Sequence, residues 1–108
     1  MISKLQAILE RFEKLSQLIS DPEVIKDMES WQKYVKERAE LEETANKYLE
    51  YKKVQSDIED AKEMLEIEQD PEMKSMLNDE VYSLKDKLEE ISAEEKQTVL
   101  DLMEKLGL

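Results

Sequence analysis

Residues 51–91 read YKKVQSDIEDAKEMLEIEQDPEMKSMLNDEVYSLKDKLEEI, and the spacing of their apolar side chains decides the fold. On each side of Asp70-Pro71-Glu72, apolar residues recur alternately every three and every four positions. This spacing is typical of the narrow seam along which two helices pack as a coiled coil. The seam residues before the turn are Tyr51, Val54, Ile58, Ala61 and Leu65, and those after it are Leu77, Val81, Leu84, Leu88 and Ile91.

The two apolar runs are separated by Asp70-Pro71-Glu72, a sequence that restarts a helix. An Asp side chain can accept a hydrogen bond from the first helical turn, and Pro suits the first helical position because no intrahelical bond needs its nitrogen there. Two helices joined by so short a connection can pack against each other only in an antiparallel arrangement. We therefore predict a helical hairpin in which Ile58 lies near Val81 and Leu84, and Val54 near Leu88.

Capping sequences elsewhere in the chain predict where the other helices begin. Ser3 with Gln6 has the form of a capping box. Asp21-Pro22-Glu23 repeats the capping sequence of the turn, and Ser30 is a further cap candidate. Gly107 suits a left-handed cap at the end of the last helix. We predict helices over residues 4–19, 31–67 and 71–106, with a short helical turn over residues 22–28.

The apolar stripe widens towards both ends of the chain. It covers more of the helix surface over residues 31–49 and 99–106, and its phase shifts near Tyr48 and after Ile91. A helix that gains a second neighbour buries a wider arc of its surface. We therefore predict that the helix over residues 4–19 packs only against the base of the hairpin, which these wider stretches form.

The predicted fold class is all-α: a long antiparallel helical hairpin with a shorter N-terminal helix packed on its base, giving a three-helix bundle with a coiled-coil arm. Composition agrees, since one Gly and two Pro in 108 residues leave almost nothing for the turns of a β-sheet. A chain of this length allows one domain, and we assign residues 1–108 to a single helical domain. Ser92-Ala93-Glu94-Glu95 also has capping-box form, and we expect no more than a kink there.

Catalytic chemistry has few candidate groups in this chain. The absence of His and Cys excludes His- or Cys-dependent triads, zinc sites built from these residues and disulfides. Carboxylates remain, but adjacent acids on a helix point to different parts of its surface. Such pairs are Glu42/Glu43, Glu89/Glu90 and Glu94/Glu95. We therefore expect no enzyme, no catalytic, cofactor-binding or metal-binding residue, and no cofactor.

The chain is strongly acidic, with 16 basic and 28 acidic side chains and a net charge of −12. Residues 55–108 hold 17 of the acidic and 6 of the basic side chains, so this half repels phosphate groups. We therefore expect no direct sequence-specific recognition of nucleic acid.

The sequence also predicts no membrane partner. No apolar run approaches the ~20 residues that cross a bilayer. Glu10, Arg11, Glu13 and Lys14 interrupt what would be the apolar region of a signal peptide. Because the chain also lacks cysteine, we expect a cytoplasmic protein.

Aromatic and methionine side chains form two further groups. Helical spacing favours bundle core for the aromatic group, with a partner contact through Trp31 as the alternative. The methionine group near the turn has two possible roles, namely adaptable packing within the fold and a contact surface for a partner. The aromatic group is Trp31, Tyr34, Tyr48 and Tyr51, and the methionine group is Met64, Met73 and Met76.

Four stretches of the chain, taken together, are specific enough to indicate a family, because they occur in a particular order and at particular separations. They are Ser20-Asp21-Pro22-Glu23-Val24, Glu50-Tyr51-Lys52-Lys53, Asp57-Ile58-Glu59-Asp60-Ala61-Lys62-Glu63-Met64-Leu65 and Asp70-Pro71-Glu72-Met73. In sequence and order they resemble the N-terminal domain of the bacterial peptide chain release factor 1 family, which belongs to the class I release factors. The resemblance covers residues 1–100.

The resemblance implies an interaction domain that helps to position a release factor on the ribosome during stop-codon-dependent translation termination. In that family the domain looks like a helical arm that reaches towards the stalk base of the large ribosomal subunit. The implied partners are the ribosome and the remaining domains of the factor. The family's Gly-Gly-Gln loop and its Pro-x-Thr codon-reading tripeptide lie in later domains, so no catalytic or codon-reading residue is assigned here, and no contact residue is assigned either.

A stand-alone structural or adaptor coiled-coil protein is the alternative function. In that case the arm would pair with a second copy of the chain. The hairpin prediction instead satisfies the seam within one chain, and we therefore expect a monomer.

Overall fold

The described part of the chain is helical apart from its short connections, which confirms the predicted all-α fold class. A computed structural model describes residues 2–106, with side chains from Lys4 onward. No strand occurs in that part of the chain. The helices are α1 (Ile2–Leu18), α2 (Pro22–Lys26), α3 (Met28–Ile67) and α4 (Pro71–Lys105).

Asp-Pro pairs start α2 and α4, as the sequence predicts. Asp21 Oδ1 accepts a hydrogen bond from the backbone N–H of Glu23 at 2.9 Å, and Pro22 is the first residue of α2. Asp70 Oδ1 accepts from the backbone N–H of Glu72 at 3.1 Å, and a proline again opens the helix. Each carboxylate satisfies a donor that a helix start leaves without an intrahelical acceptor.

Helix α3 begins at Met28, earlier than the predicted residue 31, because Asp27 and not Ser30 caps it. The Asp27 carboxylate accepts from the Ser30 hydroxyl at 2.7 Å and from the Ser30 backbone N–H at 3.3 Å. These two bonds lower the pKa of Asp27 below its ordinary value. The prediction that Ser30 caps α3 is wrong, since the ionised carboxylate upstream is the stronger acceptor.

Two other predicted caps lie outside the described residues, namely the side chain of Ser3 and residue Gly107. Their capping roles therefore stay predictions. Helix α4 continues through Ser92 without a break, so the capping-box sequence there starts no new helix.

The chain forms two compact units. Unit 1 comprises Met1–Leu49 and Glu95–Leu108, and unit 2 comprises Glu50–Glu94. In unit 1, α1 contributes four buried apolar side chains, and α3 and α4 contribute the rest. They are Leu5, Leu9, Phe12, Leu15, Leu41, Ala45, Tyr48 and Leu102. The assignment of residues 1–108 to a single domain stays a prediction.

Unit 2 is a helical hairpin made of the last part of α3, the connection over residues 68–70 and the first part of α4. Val54, Ile58 and Ile91 form its core cluster. Further members of the predicted seam pack against this cluster or are buried elsewhere in the unit: Tyr51, Leu84, Leu88, Ala61, Leu77 and Val81. The seam predicted from residues 51–91 is therefore confirmed.

The buried line of α4 keeps its phase beyond Ile91, where the sequence pattern predicts a shift. The next buried residues are Glu95, Thr98 and Leu102, at spacings of four, three and four. The large apolar side chains beside this line are exposed: Leu100, Met103 and Leu106. The predicted shift in α4 is wrong because two positions of the line carry polar side chains, which a count of apolar residues passes over.

No helix within residues 2–106 has the length and apolar character that crossing a bilayer requires.

Candidate interaction surface

Four large apolar side chains close to the α3–α4 connection are exposed, and we call them the hairpin-end patch. They are Met64, Ile67, Met73 and Met76, with exposed fractions of 54%, 81%, 43% and 62%. The three methionines are those singled out in the sequence, and their exposure favours a contact surface over packing within the fold. Ile67 was not singled out, although its position two residues after Leu65 takes it off the seam spacing.

Local hydrogen bonds hold the connection that carries this patch. The side chain of Glu68 accepts from the backbone N–H groups of Gln69 at 3.2 Å and Asp70 at 3.1 Å. Asp70 in turn caps α4 through Glu72. The turn therefore supplies acceptors for its own backbone donors, and the two helix ends that bear the patch are joined by an ordered connection.

Unit 2, which carries the patch, is strongly acidic. Its 45 residues include 15 acidic and 6 basic side chains, a net charge of −9. The partner surface that would bind this hairpin most favourably is apolar where it faces the patch and carries positive charge elsewhere.

Unit 1 contains a carboxyl group, that of Glu95, whose burial no sequence pattern predicted. Glu95 is 4% exposed, and both of its carboxylate oxygens lack a hydrogen-bond partner. Burial raises the pKa of Glu95 to about 7, while the charge of Lys47 acts in the opposite direction. Two further buried polar side chains, Thr44 and Thr98, belong to the same unit.

An ion pair joins α1 to α3 within unit 1. The Arg11 guanidinium donates to Glu37 through Nε, and through Nη2 at 2.9 Å. This contact lowers the pKa of Glu37 and raises the pKa of Arg11. Both side chains are more than one-third exposed, so the pair fixes geometry more than it adds stability.

Two more side chains of α3 bind the far end of α1 and the residue after it. Arg38 donates from Nε to Ser16 Oγ at 2.8 Å, and its guanidinium carbon lies 4.6 Å from the centre of the Phe12 ring. The indole N–H of Trp31 donates to the backbone oxygen of Ile19 at 3.1 Å. These contacts bring the start of α3 to the end of α1, so the two helices are antiparallel.

The aromatic group is only partly core. Tyr48 is buried, whereas Trp31, Tyr34 and Tyr51 are half-buried. Trp31 already uses its only polar hydrogen inside the fold, so a further contact of this side chain would be apolar.

Adjacent carboxylates of the chain lie in different surroundings. Of the adjacent pair Glu94 and Glu95, the first is exposed and the second buried, in agreement with their predicted divergence. No group of three or more acidic side chains in the described range could hold a metal ion. That the chain is not an enzyme and binds no cofactor stays a prediction.

Comparison with known proteins gives one family and a set of close relatives. The model of the PCRF domain matches residues 8–105. The chain is 46% identical over 100 residues to peptide chain release factor 1 of Carboxydothermus hydrogenoformans, and 44% identical over 100 residues to that of Halalkalibacterium halodurans. Each of these alignments covers 93% of this chain and 28% of the relative.

A third relative extends the range of organisms. Peptide chain release factor 1 of Clostridium botulinum strain Hall is 45% identical over 94 residues, which is 87% of this chain and 26% of that protein. The chain thus spans about a quarter of the length of the curated relatives it matches. No solved structure matches it.

Proposed function

This chain belongs to the PCRF domain family, and on that premise we propose that it is the N-terminal interaction domain of a peptide chain release factor 1. In this role it helps to position the factor on the ribosome during stop-codon-dependent termination, in the cytoplasm. The observation that carries the proposal is the match of the family model to residues 8–105 together with 44–46% identity to release factors over 100 residues. The remaining domains of the factor are its covalent partners.

The domain acts by binding and not by catalysis. Three of its carboxylates have structural roles: Asp70 caps α4, Glu37 pairs with Arg11 and Glu95 lies buried. Peptide release and codon reading then belong to the parts of a release factor that this chain does not span.

The hairpin-end patch is the proposed contact with the stalk base of the large ribosomal subunit. Exposed Met side chains offer adaptable apolar area, and a few residues usually carry most of the free energy of binding at an interface. The net charge of −9 on unit 2 disfavours contact with RNA phosphates. Within the stalk base, the contact is therefore directed at protein that carries positive charge.

Competition in a purified termination system tests the proposal. Ribosomes halted at a stop codon release their peptide when a full-length release factor 1 is added, and this chain is titrated in as the competitor. We expect the release rate to fall as the chain occupies the shared site. An unchanged rate at saturating amounts of the chain contradicts the proposed function.

Matched variants test which surface makes the contact. Ile67→Asp and Met76→Asp each place a charge in the hairpin-end patch, while Tyr82→Asp places the same charge at a 71% exposed position elsewhere in unit 2. We expect the patch variants to need at least ~10-fold more competitor for half-maximal inhibition, and the control to match the parent. Equal inhibition by all three contradicts the patch assignment while leaving the domain function intact.

A further inference from the structure

Every methionine whose side chain the structure describes is exposed to solvent. They are Met28, Met64, Met73, Met76 and Met103. This is unusual, because methionine is among the residue types that are most often buried in folded proteins. The buried apolar side chains in the described part of the chain are instead Leu, Ile, Val, Ala, Phe and Tyr. A reaction at methionine sulfur therefore alters the described surface of this chain and leaves these core side chains unchanged.

Three of these methionines belong to the hairpin-end patch and lie within two helical turns of the α3–α4 connection. The backbone N–H of Glu68 donates to the backbone oxygen of Met64 at 3.0 Å, which places Met64 in the last turn of α3. Met73 and Met76 lie in the first two turns of α4. The patch thus combines three side chains that contain an oxidisable sulfur with one, Ile67, that does not.

Oxidation changes what a methionine side chain can contact. Hydrogen peroxide transfers an oxygen atom to the thioether sulfur: the sulfur–oxygen bond forms as the O–O bond breaks, the sulfur is oxidised, and the peroxide is reduced to water. The product, methionine sulfoxide, is polar where the thioether was apolar. Burying its oxygen in an interface without a hydrogen-bond donor costs free energy. The reaction leaves the net charge of unit 2 unchanged, so its effect is confined to the apolar contact.

We propose that the methionines of the hairpin-end patch are sites of reversible oxidation by peroxides, and that their sulfoxides weaken the contact made by the patch. This rests on the proposed function, because the regulated contact is the one with protein at the stalk base. A dissolved peroxide reaches all three sulfurs, since their side chains are exposed. A dithiol-dependent reductase reverses the change: the sulfoxide oxygen leaves as water, the thioether is restored and the dithiol becomes a disulfide.

Two matched variants separate the patch methionines from the others in the test. The first variant is Met28→Leu/Met103→Leu, and the second is Met64→Leu/Met73→Leu/Met76→Leu. Met1 stays in both. Each variant is treated with hydrogen peroxide and then freed of it. Mass spectrometry of its peptides reports the oxygen gained by each methionine, and circular dichroism reports its helicity.

Treated and untreated forms are then compared as competitors of full-length release factor 1 in the purified termination system. For the first variant, we expect oxidation to raise the amount needed for half-maximal inhibition at least ~10-fold at unchanged helicity. For the second variant, we expect a change of less than ~2-fold relative to its own untreated form. Incubation of the oxidised first variant with a dithiol and a methionine sulfoxide reductase should restore its inhibition.

A glutamine variant tests the effect of polarity without an oxidant. Glutamine is unbranched like methionine but ends in a polar amide. We expect Met64→Gln/Met73→Gln/Met76→Gln to need at least ~10-fold more chain for half-maximal inhibition than the leucine variant at the same three positions. If the oxidised first variant loses helicity, this comparison decides the result.

Four results overturn the proposal. They are patch methionines that resist peroxide while Met28 and Met103 react, unchanged inhibition by the oxidised first variant, equal loss in both treated variants, and equal inhibition by the glutamine and leucine variants. The untreated parent is the reference in the same titration. If it does not inhibit, the proposed function fails and this regulation fails with it. If it inhibits and oxidation has no effect, only the regulation fails.

Discussion

Glu95 illustrates how a single residue can set the response of a domain to pH. A buried carboxyl group without a hydrogen-bond partner is stable mainly in its uncharged form. Its pKa in the folded chain is raised to about 7 by burial, against an ordinary value of 4.5. The folded state therefore keeps a proton that the unfolded state loses between these two values, and folding becomes less favourable as pH rises through this window.

Replacement of Glu95 by Gln tests this linkage. The stabilising effect of the bound proton is fully present below pH 4.5 and lost as pH rises through about 7. Urea unfolding should show that Glu95→Gln gains roughly 2 kcal/mol more over the parent at pH 8 than at pH 5. Glu94→Gln, one residue away and exposed, removes the same carboxyl group from the surface and is the control. A gain that does not change with pH contradicts the linkage.

Leu15 is a second residue whose effect is readily stated. Its side chain is 0% exposed and lies in the core of unit 1. Leu15→Ala should lower the free energy of unfolding by about 2–5 kcal/mol, because the substitution leaves a cavity as well as removing buried apolar area. Leu49→Ala removes the same atoms from a side chain that is 44% exposed, and it should cost much less. Equal losses from the two substitutions in urea unfolding would show that Leu15 is not packed as described.

At the scale of the element, the hairpin of unit 2 depends on a continuous apolar seam. Ile58 belongs to its core cluster and is 5% exposed. An aspartate at this position buries a charge that has no partner, and such changes are among the most destabilising single substitutions.

Ile58→Asp should therefore unfold much of unit 2. We expect a loss of more than about 3 kcal/mol in urea unfolding, with reduced helical circular dichroism. Ser56→Asp adds the same charge on an exposed face of α3 and serves as the control. Parent-like helicity and thermal midpoint in Ile58→Asp would be incompatible with the seam.

The helices also show how much of the fold could be predicted from the sequence. The seam of unit 2 was predictable residue by residue, because apolar spacing reports it directly. The caps at Asp21 and Asp70 were predictable from their prolines. The start of α3 was not, because the carboxylate of Asp27, three residues before Ser30, is the stronger acceptor and caps the helix in place of the Ser30 hydroxyl. The buried line through Glu95 was not predicted, because polar side chains at buried positions do not appear in the spacing of apolar residues.

The candidate surface was predictable only in part. The three methionines of the hairpin-end patch were singled out because they cluster near the turn in the sequence. Ile67, which is more exposed, was not singled out.

At the scale of the whole molecule, the strongest expectation concerns association. The seam of unit 2 is covered by residues of the same chain, and the net charge of −12 makes copies repel each other.

Sedimentation equilibrium should therefore give a mass near 12.8 kDa across a wide concentration range. The adaptor alternative predicts a dimer held through the seam instead. A concentration-dependent rise in mass that Ile58→Asp abolishes would favour that alternative and contradict the hairpin. A rise that persists in Ile58→Asp would point to association through another surface.

The hydrogen bond from the Trp31 indole to Ile19 supplies a built-in optical reporter. Trp31 is the only tryptophan in the chain and belongs to unit 1, so its fluorescence follows the detachment of α1 from α3 and is silent about the hairpin. Ellipticity at far-ultraviolet wavelengths sums over every helix. Recording both signals during one denaturant titration reveals whether the two units melt together or in succession, with no dye attached.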